Sequence, residues 1–200
     1  MTDTALTPTG FNQPRYWLWW TAATIGGWIV GYLINAVIIS VFNLNADVAQ
    51  GDHPELVLAS ILALGALGLS VGVAQWLMLR CVLATQSPSI ALWIPATTLG
   101  FALGIWFGLA FMGLGTGVAQ WWVIRKTFSK SSWWPTLSTL IWPLGYVAGG
   151  SVSSALLSVV GSQLLAGLIG IVVTGLIIGA VTGAVLLWML RERRLLEEAA

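Results

Sequence analysis

Two glutamines are the residues of this sequence that stand out as candidates for chemistry. The stretch GVAQWLMLR at 72–80 returns at 117–125 as GVAQWWVIR, with Gln75 and Gln120 at the same place. Both glutamines fall inside long apolar stretches that contain no charged residue. An amide side chain in apolar surroundings costs free energy unless it is hydrogen-bonded. We therefore expect each glutamine to bond a neighbouring helix, a backbone carbonyl or water.

The composition indicates that those apolar surroundings are a lipid bilayer. Hydrophobic residues make up 58% of the 200 residues and charged residues only 8%, against roughly a quarter charged in globular proteins. The charges are also segregated, and residues 131–190 carry none. Lipid is the solvent that such surfaces favour, and helices satisfy their own backbone groups there. We predict an all-α, polytopic membrane helical bundle.

Four apolar runs are long enough to cross a bilayer. They lie at 17–42, 56–79, 133–158 and 163–190, and each reaches the roughly 20 residues that a hydrocarbon core requires. The first run is too long for the core of a cleavable signal peptide, so we expect it to remain as a helix. A fifth run, 91–124, is too long for one straight crossing and short for two.

Positive charges decide how the run 91–124 is interpreted. The basic residues are Arg15, Arg80, Arg125, Lys126, Lys130, Arg191, Arg193 and Arg194. Loops rich in Lys and Arg face the cytoplasm, so we expect all of these residues and both termini on that side. The run must then return to the side it left. We predict two short helices, about 92–106 and 110–125, with a turn near Gly108–Gly115. A single crossing and a re-entrant pair stay open as alternatives.

Two motifs alternate along these helices. In the first motif, two glycines lie four residues apart. A third position follows the second glycine by three residues, and an arginine follows the second glycine by eight. Its copies are Gly68, Gly72, Gln75 and Arg80; Gly113, Gly117, Gln120 and Arg125; and Gly179, Gly183, Leu186 and Arg191. The second motif occurs as Trp20, Thr24 and Gly27; Trp93, Thr97 and Gly100; and Trp134, Ser138 and Ile141.

The alternation predicts one membrane domain of three tandem helical hairpins. The hairpins cover about 16–80, 92–125 and 133–191, and polar tails occupy 1–15 and 192–200. Glycines four apart lie on one helix face and let another helix approach closely, so the six glycines of the first motif are assigned to helix packing. The arginines Arg80, Arg125 and Arg191, together with Trp20, Trp93 and Trp134, are expected to anchor the helices at the headgroups.

The glutamines allow two interpretations. In the first, Gln75 and Gln120 hold neighbouring helices together through hydrogen bonds. In the second, they coordinate the magnesium of a chlorophyll, and Trp76 and Trp121 pack against the pigment ring. A carotenoid would also suit a tryptophan-rich surface. We favour packing and expect no cofactor.

The paired motifs resemble those of uncharacterised multi-pass membrane proteins from cyanobacteria and other bacteria, in which W-x3-T-x2-G and G-x3-G-x2-QW-x3-R units alternate. The resemblance covers nearly all of 16–194. It implies the same helical membrane fold and brings no established activity. The chain departs from the pattern at Leu186 and Ile141, so the three hairpins are not expected to use the glutamine position in the same way.

Catalytic groups are scarce. The one histidine, His53, lies in an acidic loop with Asp47, Asp52 and Glu55. Neighbouring residues rarely converge on a metal ion, so we interpret the loop as solvated and expect no metal site. The predicted spans contain no carboxylate, histidine or lysine, which argues against ion-coupled transport.

We expect a non-enzymatic integral protein of a bacterial membrane, either the plasma membrane or the thylakoid. Its role would be structural or accessory, as a subunit or assembly partner that packs against other membrane proteins, lipids or pigments, with no nucleic acid among its partners. The alternative is a channel or transporter for a neutral or lipid-like solute. In that case Gln75, Gln120 and the repeated threonines would line a central path.

Overall fold

A computed structural model describes residues 13–41, 54–83 and 88–198. In these ranges the chain forms six α-helices, a short 3-10 helix at Pro88–Leu92, and no β-strand. The α-helices are α1 (Gln13–Val41), α2 (Pro54–Leu83), α3 (Trp93–Phe107), α4 (Leu109–Ile124), α5 (Trp133–Val160) and α6 (Gln163–Glu198). The all-α prediction is confirmed for these ranges. The predicted acidic loop, with Asp47, Asp52 and His53, lies outside the described residues.

Four helices of the described chain are long and apolar enough to cross a membrane. They are Gln13–Val41, Val57–Leu83, Trp133–Val160 and Gln163–Arg193. Each overlaps one of the four spans predicted from the apolar runs. Length and hydropathy therefore support a membrane location for the chain.

The run at 91–124 is a hairpin of two short helices, α3 and α4. Their 15 and 16 residues correspond to about 22 and 24 Å. The predicted helices at 92–106 and 110–125 are confirmed to within one residue at each end, and the predicted turn near Gly108–Gly115 is narrowed to Gly108, while Gly113 and Gly115 lie inside α4. Gly108 has φ 84° and ψ 176°, a conformation that is essentially restricted to glycine. A single residue can therefore reverse the chain.

The short hairpin returns to the end of the bundle from which it left. Ile90, just before α3, and Phe128, just after α4, lie in one buried cluster. The same cluster contains Tyr16 at the start of α1 and Leu190 in α6. The segments that carry the arginines thus meet at one end of the molecule, hereafter the arginine end.

The six helices close into a ring. Each helix packs against the next one along the chain, and α6 packs against α1. Two layers of aromatic side chains fill the centre. Near the arginine end, the Trp93 ring lies 6.4 Å from Trp20 and 5.6 Å from Trp134, between centroids. Trp28, Phe101 and Trp142 form the second layer, with all three centroid distances between 5.0 and 6.0 Å.

Glycines bring the neighbouring helices of the ring together. A Cβ atom at Gly72 of α2 would lie 3.1 Å from Thr97 Cβ of α3, and one at Gly117 of α4 would lie 2.6 Å from Ser138 Cβ of α5. A Cβ atom at Gly183 of α6 would lie 2.7 Å from Trp20 of α1. Gly68, Gly113 and Gly179 face the same three partner helices. All six glycines assigned to packing therefore lie at contacts within the chain.

Candidate functional site

Gln75 connects three helices through its amide. The side chain is buried in α2 at 1% exposure. Its Nε2 donates to Thr24 Oγ1 of α1 at 3.4 Å, and its Oε1 accepts a hydrogen bond from Trp93 Nε1 of α3 at 3.1 Å. The amide thus bridges the two helices that flank α2 in the ring.

Gln120 makes the same two bonds from α4, at shorter distances. Its Nε2 donates to Thr97 Oγ1 of α3 at 2.8 Å, and Trp134 Nε1 of α5 donates to its Oε1 at 2.9 Å. Thr97 also donates to the carbonyl oxygen of Trp93 at 2.9 Å. The threonine hydroxyl is therefore both acceptor and donor, and the network from α2 to α5 is continuous.

The third copy of the motif uses a different residue. Leu186 stands at the glutamine position and is fully buried. Trp20 Nε1 donates instead to Thr182 Oγ1 at 3.0 Å, and Thr182 donates to the carbonyl of Ile178 at 2.6 Å. Ser138, which corresponds to Thr24 and Thr97, has a buried Oγ without a hydrogen-bond partner. The sequence motif did not identify Thr182 as a hydrogen-bonding residue, because the position before the second glycine is not part of the motif.

The structure places Trp20, Trp93 and Trp134 inside the helix ring, at 0–1% exposure, and not in a lipid-facing belt. A buried indole N–H usually finds an acceptor, and Thr182, Gln75 and Gln120 accept those of Trp20, Trp93 and Trp134. The aromatic belt expected at the headgroups, which includes Trp19 and Trp133, therefore loses these three tryptophans to the interior. Among the tryptophans whose side chains the structure describes, the exposed ones are Trp19, Trp122, Trp133 and Trp188.

The W-x3-R spacing brings a tryptophan and an arginine together on one helix face. Arg80 Cζ lies 5.5 Å from the centroid of Trp76, and Arg125 Cζ lies 5.7 Å from that of Trp121 and 3.4 Å from that of Trp122. A guanidinium over an aromatic face is a cation–π contact. In the third copy, Leu187 takes the tryptophan position before Arg191. Trp76 and Trp121 therefore pack against arginines at the arginine end.

A pigment at the glutamines would have to displace these bonds. The Oε1 atoms are the ligands that a magnesium ion would need, and both accept a tryptophan N–H. Among the described residues, no group of three His, Cys, Asp or Glu side chains is placed to hold a metal ion. The geometry suits amides that join helices.

Two openings of the described surface lie away from the glutamines. One is a cavity of about 130 Å³ between α1, α5 and α6, lined by Tyr32, Tyr146 and Ser153 together with glycines. The other is an apolar groove of about 600 Å³ between α1 and α2. Neither opening is lined by Gln75 or Gln120.

Comparison with known proteins gives no relative from which a function could be transferred. No family model matches this chain, and neither a curated protein nor a solved structure matches it. The resemblance to the cyanobacterial and other bacterial membrane proteins stays a prediction. The function is therefore inferred from the geometry of the residues described above.

Proposed function

We propose that this chain is a non-enzymatic integral membrane protein with a structural or accessory role, built from three tandem helical hairpins. The observation that carries the proposal is the occupied centre of the helix ring. Gln75 and Gln120 bond threonine and tryptophan side chains of the same chain, so their amides hold helices together. A rigid bundle of this kind contacts its surroundings through its outer faces.

Equivalent contacts support the three-hairpin organisation. Trp93 donates to Gln75 as Trp134 donates to Gln120. In the same way, a Cβ atom at Gly72, Gly117 or Gly183 would meet the helix that follows it around the ring. Repeated contacts at matched positions are what tandem duplication of one hairpin would leave. We assign the hairpins to about 16–80, 92–125 and 133–191.

The outer faces are where partners would meet this protein. The motif glycines already serve contacts within the chain, so a partner would use outward apolar residues. Leu99 is 59% exposed, Leu144 is 62% exposed and Val159 is 80% exposed. Lipid chains and the helices of other membrane proteins both suit such surfaces. We place the arginine end and both termini in the cytoplasm of a bacterium, following the excess of Lys and Arg there.

A channel or transporter for a neutral or lipid-like solute is the less favoured alternative. Such a path would run through the centre of the ring past the glutamines. Trp28, Phe101 and Trp142 occupy that centre with exposures of 0–1%. A solute would have to displace three packed aromatic side chains, whose burial contributes several kcal/mol.

Site-specific crosslinking tests the proposed role. Photoreactive residues at Leu99, Leu144 and Val159 are irradiated in native membranes, and an unirradiated sample is the control. We expect a reproducible protein adduct at one or more of these positions, because the outer faces are the surfaces left for partners. In parallel, the purified chain is tested in proteoliposomes for passage of glycerol. Glycerol flux above that of protein-free vesicles would overturn the structural role in favour of the channel.

A further inference from the structure

The groove between α1 and α2 is built from small residues on one wall and aliphatic residues on the other. α1 contributes Ala23, Gly26, Gly27 and Val30, and α2 contributes Leu69, Ser70, Val73, Ala74, Leu77 and Met78. A Cβ atom at Gly26 would meet no heavy atom within 4 Å. The glycine therefore leaves an open trough on the outside of the α1–α2 contact.

The wall of the groove offers no polar group to an occupant. Its one hydroxyl, Ser70 Oγ, donates to the carbonyl oxygen of Ala66 at 2.9 Å. The other lining side chains are aliphatic, glycine or methionine. Whatever lies in the groove must accordingly be apolar along its length. A helix with its side chains is about 10 Å wide, which suits a trough between two touching helices less well than a single hydrocarbon chain does.

A positive charge stands at one end of this groove. Arg80 follows Leu77 by three residues and Val73 by seven, so it continues the same row of α2 side chains. It is exposed, and its guanidinium lies over Trp76. Among the described residues, no carboxylate forms an ion pair with Arg80. Its charge is thus available to an external anion at the level of the headgroups.

We propose that the α1–α2 groove and Arg80 form a binding site for an anionic phospholipid. The lipid phosphate contacts the Arg80 guanidinium, and one acyl chain lies along Gly26 and Val73. The combination of a cation at the end and an apolar trough below it is complementary to an anionic amphiphile. The inference rests on the proposed membrane location and adds a specific lipid class to it.

Photoactivatable lipids test this site. The purified chain is reconstituted with phosphatidylglycerol or phosphatidylcholine carrying the reactive group on the acyl chain, and the crosslinked peptides are mapped by mass spectrometry. We expect phosphatidylglycerol to label the groove residues of α1 and α2 about fivefold more than phosphatidylcholine. Arg80→Gln should remove this difference, because the phosphate loses its cation.

A matched pair of glycine variants tests the acyl chain. Gly26→Leu fills the trough and should abolish groove labelling by both lipids. Gly65→Leu is the control, because Gly65 also has no heavy atom within 4 Å of its Cβ position but does not line the groove. Labelling in the control should equal that of the unaltered chain. Gel filtration of each variant in detergent verifies that it remains folded.

Three results would overturn the lipid site. They are equal labelling by the two lipids, groove labelling that persists in Gly26→Leu, and a crosslink from the groove to a protein or a second copy of this chain in native membranes. Flotation of the reconstituted vesicles is measured on the same samples. A chain that fails to float with lipid refutes the membrane location, whereas one that floats without selective labelling refutes only the site.

Discussion

At the scale of single residues, the buried amides explain why glutamine recurs in an apolar sequence. Gln75 and Gln120 each donate to a threonine and accept from a tryptophan. Leaving such a partner unpaired costs about 1–3 kcal/mol in proteins. The α5–α6 pair carries part of that cost, because the buried Ser138 hydroxyl has no partner and Leu186 stands at the glutamine position.

Restoring the missing amide should stabilise the protein. Leu186→Gln places a donor toward Ser138 and an acceptor toward Trp20, as in the other two copies of the motif. We expect a gain of about 0.5 to 1 kcal/mol in the free energy of unfolding, measured by thermal unfolding in detergent. Leu186→Gln combined with Ser138→Ala is the control and should lose the gain. A lower unfolding temperature for the single variant would contradict the equivalence of the three positions.

Removing the amides should destabilise the protein in a defined order. Gln120→Leu should cost about 2–3 kcal/mol and Gln75→Leu less, because the Gln120 bond to threonine is 2.8 Å and that of Gln75 is 3.4 Å. The exposed Gln163 supplies the control, and Gln163→Leu should change stability by less than about 0.5 kcal/mol. Unfolding monitored by tryptophan fluorescence measures all three. A larger loss of stability in Gln75→Leu than in Gln120→Leu would show that the lengths of these hydrogen bonds do not determine their contribution.

At the scale of helices, glycines determine how closely neighbouring helices approach. Gly27 and Gly26 are adjacent in α1 yet lie in different surroundings. A Cβ atom at Gly27 would lie 2.8 Å from Val71 Cα of α2, whereas one at Gly26 would meet nothing within 4 Å. Gly27 therefore faces the contact between α1 and α2, and Gly26 faces away from it.

Alanine at these two positions should have opposite effects. Gly27→Ala is expected to lower stability by about 1–3 kcal/mol, because the Val71 backbone must move to accommodate the methyl group. Gly26→Ala should be neutral or raise stability by up to about 1 kcal/mol, through the higher helix propensity of alanine. Thermal unfolding of the two purified variants in the same detergent compares them. Equal destabilisation by both would mean that α1 does not face α2 as described.

At the scale of the whole molecule, the short α3–α4 hairpin determines which segments share an end. Because α3 and α4 reverse at Gly108, the segments before and after them meet at the arginine end. The connection of α5 to α6 lies at the other end of the molecule, because α5 and α6 are much longer than α3 and α4. The proposed orientation places this arginine end in the cytoplasm.

Cysteine labelling checks this arrangement in a membrane. Cys81 is exposed and is the one cysteine of the chain. In inverted vesicles, where the cytoplasmic face points outward, we expect an impermeant maleimide to label Cys81 and, in a Cys81→Ser background, Ser129→Cys. Ser162→Cys in the same background should react only after the vesicles are opened by detergent. Reaction of Ser129→Cys and Cys81 from opposite sides would mean that 91–124 crosses once.

The sequence by itself was sufficient to predict the helices, the four long apolar runs and the satisfied state of Gln75 and Gln120. Each of these depends on a local quantity: the length of a run, the spacing of glycines, or the cost of a lone amide in apolar surroundings. The short hairpin could also be predicted, since the distribution of arginines required a return. That a single residue makes the turn could not be predicted, because the density of glycines in 108–115 does not show how many residues the reversal takes.

Only the tertiary structure decided which residues face the centre. In a soluble helix the polar face marks the outside, but in lipid both the interior and the surroundings are apolar, so the sequence pattern does not distinguish them. The inward position of Trp20, Trp93 and Trp134, the use of Thr182 in place of a glutamine, and the closure of α6 on α1 all depend on that choice. These contacts join residues up to 163 positions apart, and they form only when α6 packs against α1 and closes the ring.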